Sequence, residues 1–211
     1  MIWKNLTDKL QVVLIIIVVG LGLPSWALGQ QSYFSDLKKT FEDGSIFKAD
    51  FYHQTVDSYT QDTVASDGRI WVGGQKYRVE ADNKSVVVDG ETSMVYDEDR
   101  NRVIISDYEP EDDDFAPSRI LNGVDSTFTV QIQEKRKDDI YILLSSDDPF
   151  AIYQEVEIFL SKTLVPEKIV AVDPAENVIT TTFSNGRFME PEVGMFILGY
   201  PESAEKVDMR N

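Results

Sequence analysis

The chain has 211 residues, with 37 acidic side chains against 20 basic ones, one histidine and no cysteine. Its net charge of −17 disfavours nonspecific binding to nucleic acid and to anionic lipid headgroups, because both carry the same sign of charge. The lack of cysteine excludes disulfide bonds and also a lipid anchor on an N-terminal cysteine.

The first 29 residues have the pattern of a secretory signal peptide. Two lysines precede an apolar run from Leu10 to Leu23, Pro24 interrupts that run, and Ala27–Gly29 offers small residues for cleavage. A retained membrane anchor is the less favoured alternative, because a spanning helix needs roughly 20 apolar residues. We therefore expect residues 1–29 to be removed. Residues 30–211 are then a single soluble domain, either periplasmic or extracellular.

The hydrophobic pattern of this domain starts at helical spacing and then changes to period two. Phe34, Leu37 and Phe41 predict an amphipathic helix over Tyr33–Glu42, which ends at Gly44. Alternating apolar residues then predict antiparallel strands with one apolar and one polar face. The twelve candidate strands, in chain order, are 47–52, Gly68–Val72, 76–82, Ser85–Asp89, Ser93–Tyr96, Arg102–Asp107, 127–133, Ile140–Ser145, Tyr153–Ser161, Glu167–Asp173, Val178–Phe183 and Met195–Leu198.

Turn signals and one further helix complete the predicted elements. Asp67-Gly68, Asp89-Gly90 and Asn185-Gly186 are typical of turns between strands. Pro117 and Gly123 favour the start and the end of a second short helix, which we expect to lie over an opening of the sheet. Many short strands with few helices favour a barrel, a half-barrel or a sandwich.

In this order of elements the chain resembles the outer-membrane lipoprotein carrier family, the LolA-like periplasmic carriers. The order and spacing of several segments carry the resemblance, since no single motif is specific. These segments are Phe47–Phe51, Gly68–Val72, Lys76–Val79, Val88–Gly90, Tyr96–Asp97, the Pro117 helix with Leu121, Phe196–Pro201 and Ala204–Asp208.

The resemblance implies a mainly β fold, an unclosed antiparallel half-barrel with short helices as a lid over its concave apolar face. It also implies a carrier that binds the acyl chains of lipoproteins in an apolar cavity. The partners would be an ABC-type exporter in the inner membrane and an acceptor in the outer membrane. The residues expected to line the cavity are Phe47, Phe51, Ile70, Val72, Tyr77, Val79, Met94, Tyr96 and Leu121. The residues expected in the lid helix are Pro117, Arg119, Ile120 and Leu121. A monomer without cofactor or metal is expected.

Two positions depart from the family pattern. Many members have an Arg-Pro pair where this chain has Gly73-Gly74-Gln75, and that arginine ties the lid to the barrel. We expect apolar contacts of Ile120 and Leu121 to hold the lid closed in this chain, together with any contacts that Arg119 or Arg78 can make to it. The glutamine common two residues after the second phenylalanine is also displaced, since His53 stands at that position.

Other functions remain open alternatives at this stage. The apolar alternation also fits a sealed core, as in a secreted β-sandwich binding module of the cell envelope. A carrier dedicated to another lipid and an acceptor of the same fold are further alternatives. The acceptor is less favoured because such acceptors are lipidated at a cysteine. We expect no enzyme, since the chain has no Gly-x-Ser-x-Gly elbow and no recognisable catalytic triad.

Two polar features receive structural interpretations. His53 is expected to be a hydrogen-bonded core or rim residue, because one histidine without cysteine disfavours a zinc or copper site. The acidic run Glu109–Asp114 lacks the spacing of a calcium loop and is expected to be a solvated loop. Docking against a basic partner surface is its alternative role.

Overall fold

The structure is a computed structural model that describes residues 32–109, 120–121 and 128–210. Residues 32–211 form one compact unit. The first helix is α1 (Tyr33–Glu42). The strands are β1 (Ile46–Val56), β2 (Thr63–Val72), β3 (Tyr77–Ala81), β4 (Lys84–Val88), β5 (Thr92–Asp97), β6 (Arg102–Asp107), β7 (Phe128–Lys135), β8 (Ile140–Ser146), β9 (Glu155–Leu160), β10 (Pro166–Val172), β11 (Val178–Met189) and β12 (Glu205–Asp208).

All strands of the described residues belong to one sheet, in the order β12-β6-β5-β4-β3-β2-β1-β11-β10-β9-β8-β7. Consecutive strands from β1 to β6 and from β7 to β11 pair antiparallel. The two series are joined by the antiparallel pairing of β1 with β11, and β12 runs parallel to β6. The end strands β12 and β7 do not pair with each other, so the sheet is not closed into a barrel. This architecture confirms the predicted half-barrel. The two-sheet sandwich is wrong for the described part of the chain.

Helix α1 forms where the sequence predicts it. The side chain of Ser32 caps its first turn by accepting a hydrogen bond from the backbone N–H of Ser35, at 3.4 Å. Leu37 and Phe41 lie on its buried face. Gly44 follows with a φ of +91°, a conformation that favours glycine and turns the chain into β1. No helix of the described residues is long and apolar enough to cross a membrane.

Eleven of the twelve predicted strands are present, and the prediction for Met195–Leu198 is wrong. Phe196 and Leu198 pack on the sheet, but the backbone there forms turns, with Ile197 N–H donating to the Gly194 carbonyl at 3.0 Å. The last strand is β12 instead. The sequence signal missed β12 because its one apolar residue, Val207, stands among charged neighbours.

Two of the three predicted turns are also wrong, for a steric reason. Asp67-Gly68 lies inside β2, where a Cβ on Gly68 would overlap the Glu80 carbonyl oxygen. Asn185-Gly186 lies inside β11, where a Cβ on Gly186 would stand 3.2 Å from the Phe47 ring. Glycine in these strands therefore permits close approach rather than chain reversal. Asp89-Gly90 is a turn between β4 and β5, with a φ of +99° at Gly90.

Candidate lipid-binding face

One face of the sheet carries a continuous apolar surface, which we call the inner face. The register places Phe47 beside Val72, which pairs in turn with Tyr77 of β3. Ala49, Ile70 and Val79 form the next row. Across the sheet, aliphatic residues of β8, β9 and β10 join the same buried cluster. The inner face therefore spans both halves of the sheet.

Helical elements cover the inner face. Leu37 and Phe41 of α1 belong to its cluster, as do Ile120 and Leu121, which are helical and buried. Phe41 of the helix packs edge-on against Phe188 of β11, with ring centroids 5.5 Å apart. Phe188 lies 5.7 Å from Phe47 by the same measure. This row of aromatic rings packs α1 against the paired strands β1 and β11.

The inner face brings together seven of the nine residues predicted to line the cavity. They are Phe47, Phe51, Ile70, Val72, Tyr77, Val79 and Leu121, and each is at most 7 % exposed. In the described residues these side chains pack together with Ile120 and Leu121. Of the predicted lid residues, Pro117 and Arg119 lie outside the described residues, and so do residues 110–114 of the acidic run.

The prediction for Met94 and Tyr96 is wrong in placement. Both lie on the opposite, outer face, in a second apolar cluster with Val103, Ile105 and Leu198. On β4 and β5 the two faces are both covered, so apolar residues no longer mark one face. The strand pairing shows which face each residue occupies. Met94 pairs with Ile105 of the outer cluster, whereas Val95 lies on the inner side and pairs with Ile104.

The outer cluster is covered by the segment that leads to β12. Phe196 and Leu198 pack into it, and Tyr200 lies 6.4 Å from Tyr96 between ring centroids. Arg78 helps to hold this segment, since its Nη1 donates to the Met195 carbonyl at 3.3 Å and its Nη2 donates to Glu80 Oε1 at 2.6 Å. Arg78 is therefore an outer-face residue, and the expectation that it could reach the lid is wrong.

The connector that replaces the family's arginine is open on one side. A Cβ on Gly73 would stand 2.9 Å from the Cδ1 of Ile46. A Cβ on Gly74 would meet nothing within 4 Å, so a side chain there is sterically free to extend. Gly74 is consequently the position at which a longer residue can be introduced without disturbing the fold.

A polar pair interrupts the inner face. His53 follows Phe51 on the same side of β1, and its Nδ1 lies 2.9 Å from the Oγ1 of Thr181 on β11. Thr181 is 2 % exposed and is the buried polar residue of the described core. Burial lowers the pKa of His53 below its ordinary value of 6.5, so the ring is neutral at pH 7. The hydrogen-bonded role predicted for His53 is confirmed.

The other polar groups of the described residues were compared with the needs of a metal ion and of an acyl chain. No group of three or more histidine, cysteine, aspartate or glutamate side chains there is placed to hold a metal ion. A depression of about 630 Å³ lies beside β2, β3 and β4, and Arg69, Arg78, Glu80, Asp82 and Glu98 are among its lining residues. Its charged lining does not suit an acyl chain, so the inner face remains the candidate site.

Comparison with known proteins points to one family. The family model described as outer membrane lipoprotein carrier protein LolA matches residues 44–196. An uncharacterized conserved protein from Thermus thermophilus has a similar structure, with a TM-score of 0.55 and 12 % sequence identity, over 84 % of this chain and 99 % of that one. No curated protein matches the chain.

Weaker structural similarities involve two further proteins. A LolA superfamily protein from Nitrosomonas europaea has a TM-score of 0.44 and 12 % identity, over 80 % of this chain and 97 % of that one. A chain in the Pseudomonas aeruginosa MucA/MucB complex has a TM-score of 0.40 and 15 % identity, over 79 % of this chain and 60 % of that one. The similarity to the Thermus protein supports the assignment of the fold, and the match to the family model supports the assignment to the LolA family.

Proposed function

Because the chain belongs to the LolA family of outer membrane lipoprotein carrier proteins, we propose that it binds the acyl chains of lipoproteins on its inner face and carries them across the periplasm. An ABC-type exporter in the inner membrane would supply the cargo, and the outer membrane would receive it. Residues 1–29 would be removed on export. The proposed role is binding, with no catalytic step.

The observation that carries this proposal is the way in which the inner face is covered. It is an apolar sheet surface closed by helical elements, including Ile120 and Leu121, and not by a second sheet of the described residues. A short helical segment can move without breaking strand pairing. The hydrogen bonds that hold the sheet are thus independent of the lid.

The physical need for such a surface follows from the cargo. Each buried methylene contributes about 0.8 kcal/mol, so an acylated protein does not cross water unaided at a useful rate. In the closed structure Ile120 and Leu121 occupy the inner face, at 2 % and 0 % exposure. Cargo would take their place, and the lid would return when the cargo leaves.

The proposal is tested with an apolar fluorescent dye, N-phenyl-1-naphthylamine, and a diacylated lipopeptide as competitor. The wild-type protein should bind the dye, and the lipopeptide should displace it. Val79→Thr keeps the side-chain shape but places a hydroxyl group on the inner face, so it should weaken binding of both ligands. Val87→Thr is the matched control, because Val87 is equally a buried valine but lies in the outer cluster.

The outcomes separate a carrier from a sealed core. Weaker binding by Val79→Thr, with Val87→Thr unchanged at a similar loss of thermal stability, supports the inner face as the lipid site. A folded wild-type protein that ignores both dye and lipopeptide is a binding or structural module with a sealed core. Equal losses of binding in the two variants would place the lipid elsewhere.

A further inference from the structure

The inner face changes from apolar to polar along β1. Phe47, Ala49 and Phe51 are at most 5 % exposed and face the buried cluster. The next residue on this side is His53, which stands between Ser66 of β2 and Thr181 of β11 in the register. On β1 the buried apolar residues thus end at a row of three polar side chains, while Ile179 continues the buried cluster on β11.

Resting on the function proposed above, we propose that His53, held by Thr181, donates a hydrogen bond to the carbonyl group at the head of a bound acyl chain. The ligand class is an ester- or amide-linked acyl group, not a free hydrocarbon. His53 is thereby a specificity-determining residue of the inner face.

The dimensions of β1 suit this assignment. Phe47 and His53 are six residues apart on one strand, which corresponds to roughly 20 Å at about 3.3 Å per residue. One acyl chain spans half of a bilayer core of about 30 Å, which is roughly 15 Å. A chain laid along β1 with its carbonyl group near His53 therefore extends over most of the distance towards Phe47.

Among the described residues, the β2 side of the sheet beyond His53 is exposed, as the attached protein requires. We call this end of the sheet the hairpin end; it holds the loops at 57–62, 147–154 and 173–177. In the described residues β3 pairs with β2 only from Gly68 to Val72, so residues 63–67 of β2 extend past β3. Val64, opposite Thr55 on the inner side, is 73 % exposed. A polypeptide joined to the acyl group can leave the site at this end.

The hydrogen-bonding capacity of the pair is also suitable. Among the described residues Thr181 is the single hydrogen-bond partner of the His53 ring, and it engages Nδ1. When the threonine hydroxyl donates to Nδ1, the neutral ring carries its proton on Nε2. Burial lowers the pKa of His53, which keeps the ring neutral at pH 7. Nε2–H can then donate to a carbonyl oxygen without a charge being buried beside the acyl chain.

The test compares two diacylated lipopeptides that differ only in the linkage of their chains. One has ester linkages, and its ether-linked analogue lacks the two carbonyl groups. The wild-type protein should bind the ester form about threefold to tenfold more tightly, as expected for one hydrogen bond. His53→Phe and Thr181→Val should lose this preference, while both keep their affinity for N-phenyl-1-naphthylamine and for the ether analogue.

The outcomes distinguish this inference from the function on which it rests. Equal affinity of the wild-type protein for the two lipopeptides, or a preference that survives in His53→Phe, would overturn the role of His53 and leave the carrier intact. Binding of neither lipopeptide nor dye would overturn both. Thr181→Val is nearly isosteric, so it decides the question if His53→Phe fails to fold by circular dichroism.

Discussion

Replacement of Leu121 by alanine should open the lid without unfolding the sheet. Leu121 is fully buried against the inner face, beside Ile120 at 2 % exposure. The substitution removes three carbon atoms from this contact, which lowers the stability of the closed state by about 2 kcal/mol at about 0.8 kcal/mol per carbon. The population of the open state should then rise about 30-fold.

Stopped-flow uptake of N-phenyl-1-naphthylamine measures this change. If lid opening limits entry, Leu121→Ala should take up the dye about 30-fold faster than the wild-type protein at the same dye concentration. Leu198→Ala is the matched control, because Leu198 is 6 % exposed in the outer cluster and loses the same atoms. It should lower the melting temperature and leave the rate of uptake unchanged.

The refuting results are equally specific. Unchanged uptake in Leu121→Ala would mean that opening occurs elsewhere, and the lid assignment would be wrong. Faster uptake in both leucine variants, by a similar factor, would mean that dye enters a generally loosened protein. In that case the inner face has no special role in binding.

Further predictions concern the connector, the strand glycine, the histidine and the leader. Gly74→Arg should fold normally and slow dye uptake, because the position is sterically open and an arginine could hydrogen-bond the lid carbonyls; faster uptake would contradict this. Gly68→Ala should lower the free energy of unfolding by about 2 kcal/mol through overlap with the Glu80 carbonyl, measured against Gly199→Ala, whose Cβ meets nothing within 4 Å. Since burial lowers the pKa of His53, the folded state binds fewer protons than the unfolded state below pH 6.5. Stability should therefore fall as the pH drops from 6.5 through the lowered pKa, and His53→Gln should lack that part of the slope in urea titrations. The intact mass of protein from the periplasm should lack residues 1–29, and a membrane-bound form that retains them would overturn the predicted cleavage.

Local patterns were sufficient to predict most of the fold. The bounds of α1 and of β6 follow from the sequence. Helical spacing marks Tyr33–Glu42, and a short run of β-branched residues marks Arg102–Asp107. The pattern fails where burial is two-sided. Val86, Val87 and Val88 are all apolar, since β4 packs against the inner cluster on one face and the outer cluster on the other. For the same reason the sequence could not show which face of the sheet Met94 and Tyr96 occupy.

The candidate site depends on pairings that no local pattern specifies. His53 and Thr181 meet because β1 pairs with β11 across 128 positions of sequence, with a register shift between Lys48 and Asp50. The alternation of β1 places His53 on the side of Phe51, and that part was predictable. The partner of His53 was not predictable, because β11 contains three consecutive threonines. A register shift of one residue would place a different threonine opposite His53.

Lid residues that pack on the inner face address a difficulty that the proposed carrier would otherwise have in releasing its cargo. Two acyl chains in a preformed dry cavity would be held by many methylene groups at about 0.8 kcal/mol each, which would make release extremely slow. Under the proposed function the cargo displaces Ile120 and Leu121, which are buried here and would lose that burial when the lid opens. Their burial is recovered when the cargo leaves. The net affinity is therefore the difference between two buried apolar surfaces, so the size of the lid residues should set how readily cargo is released.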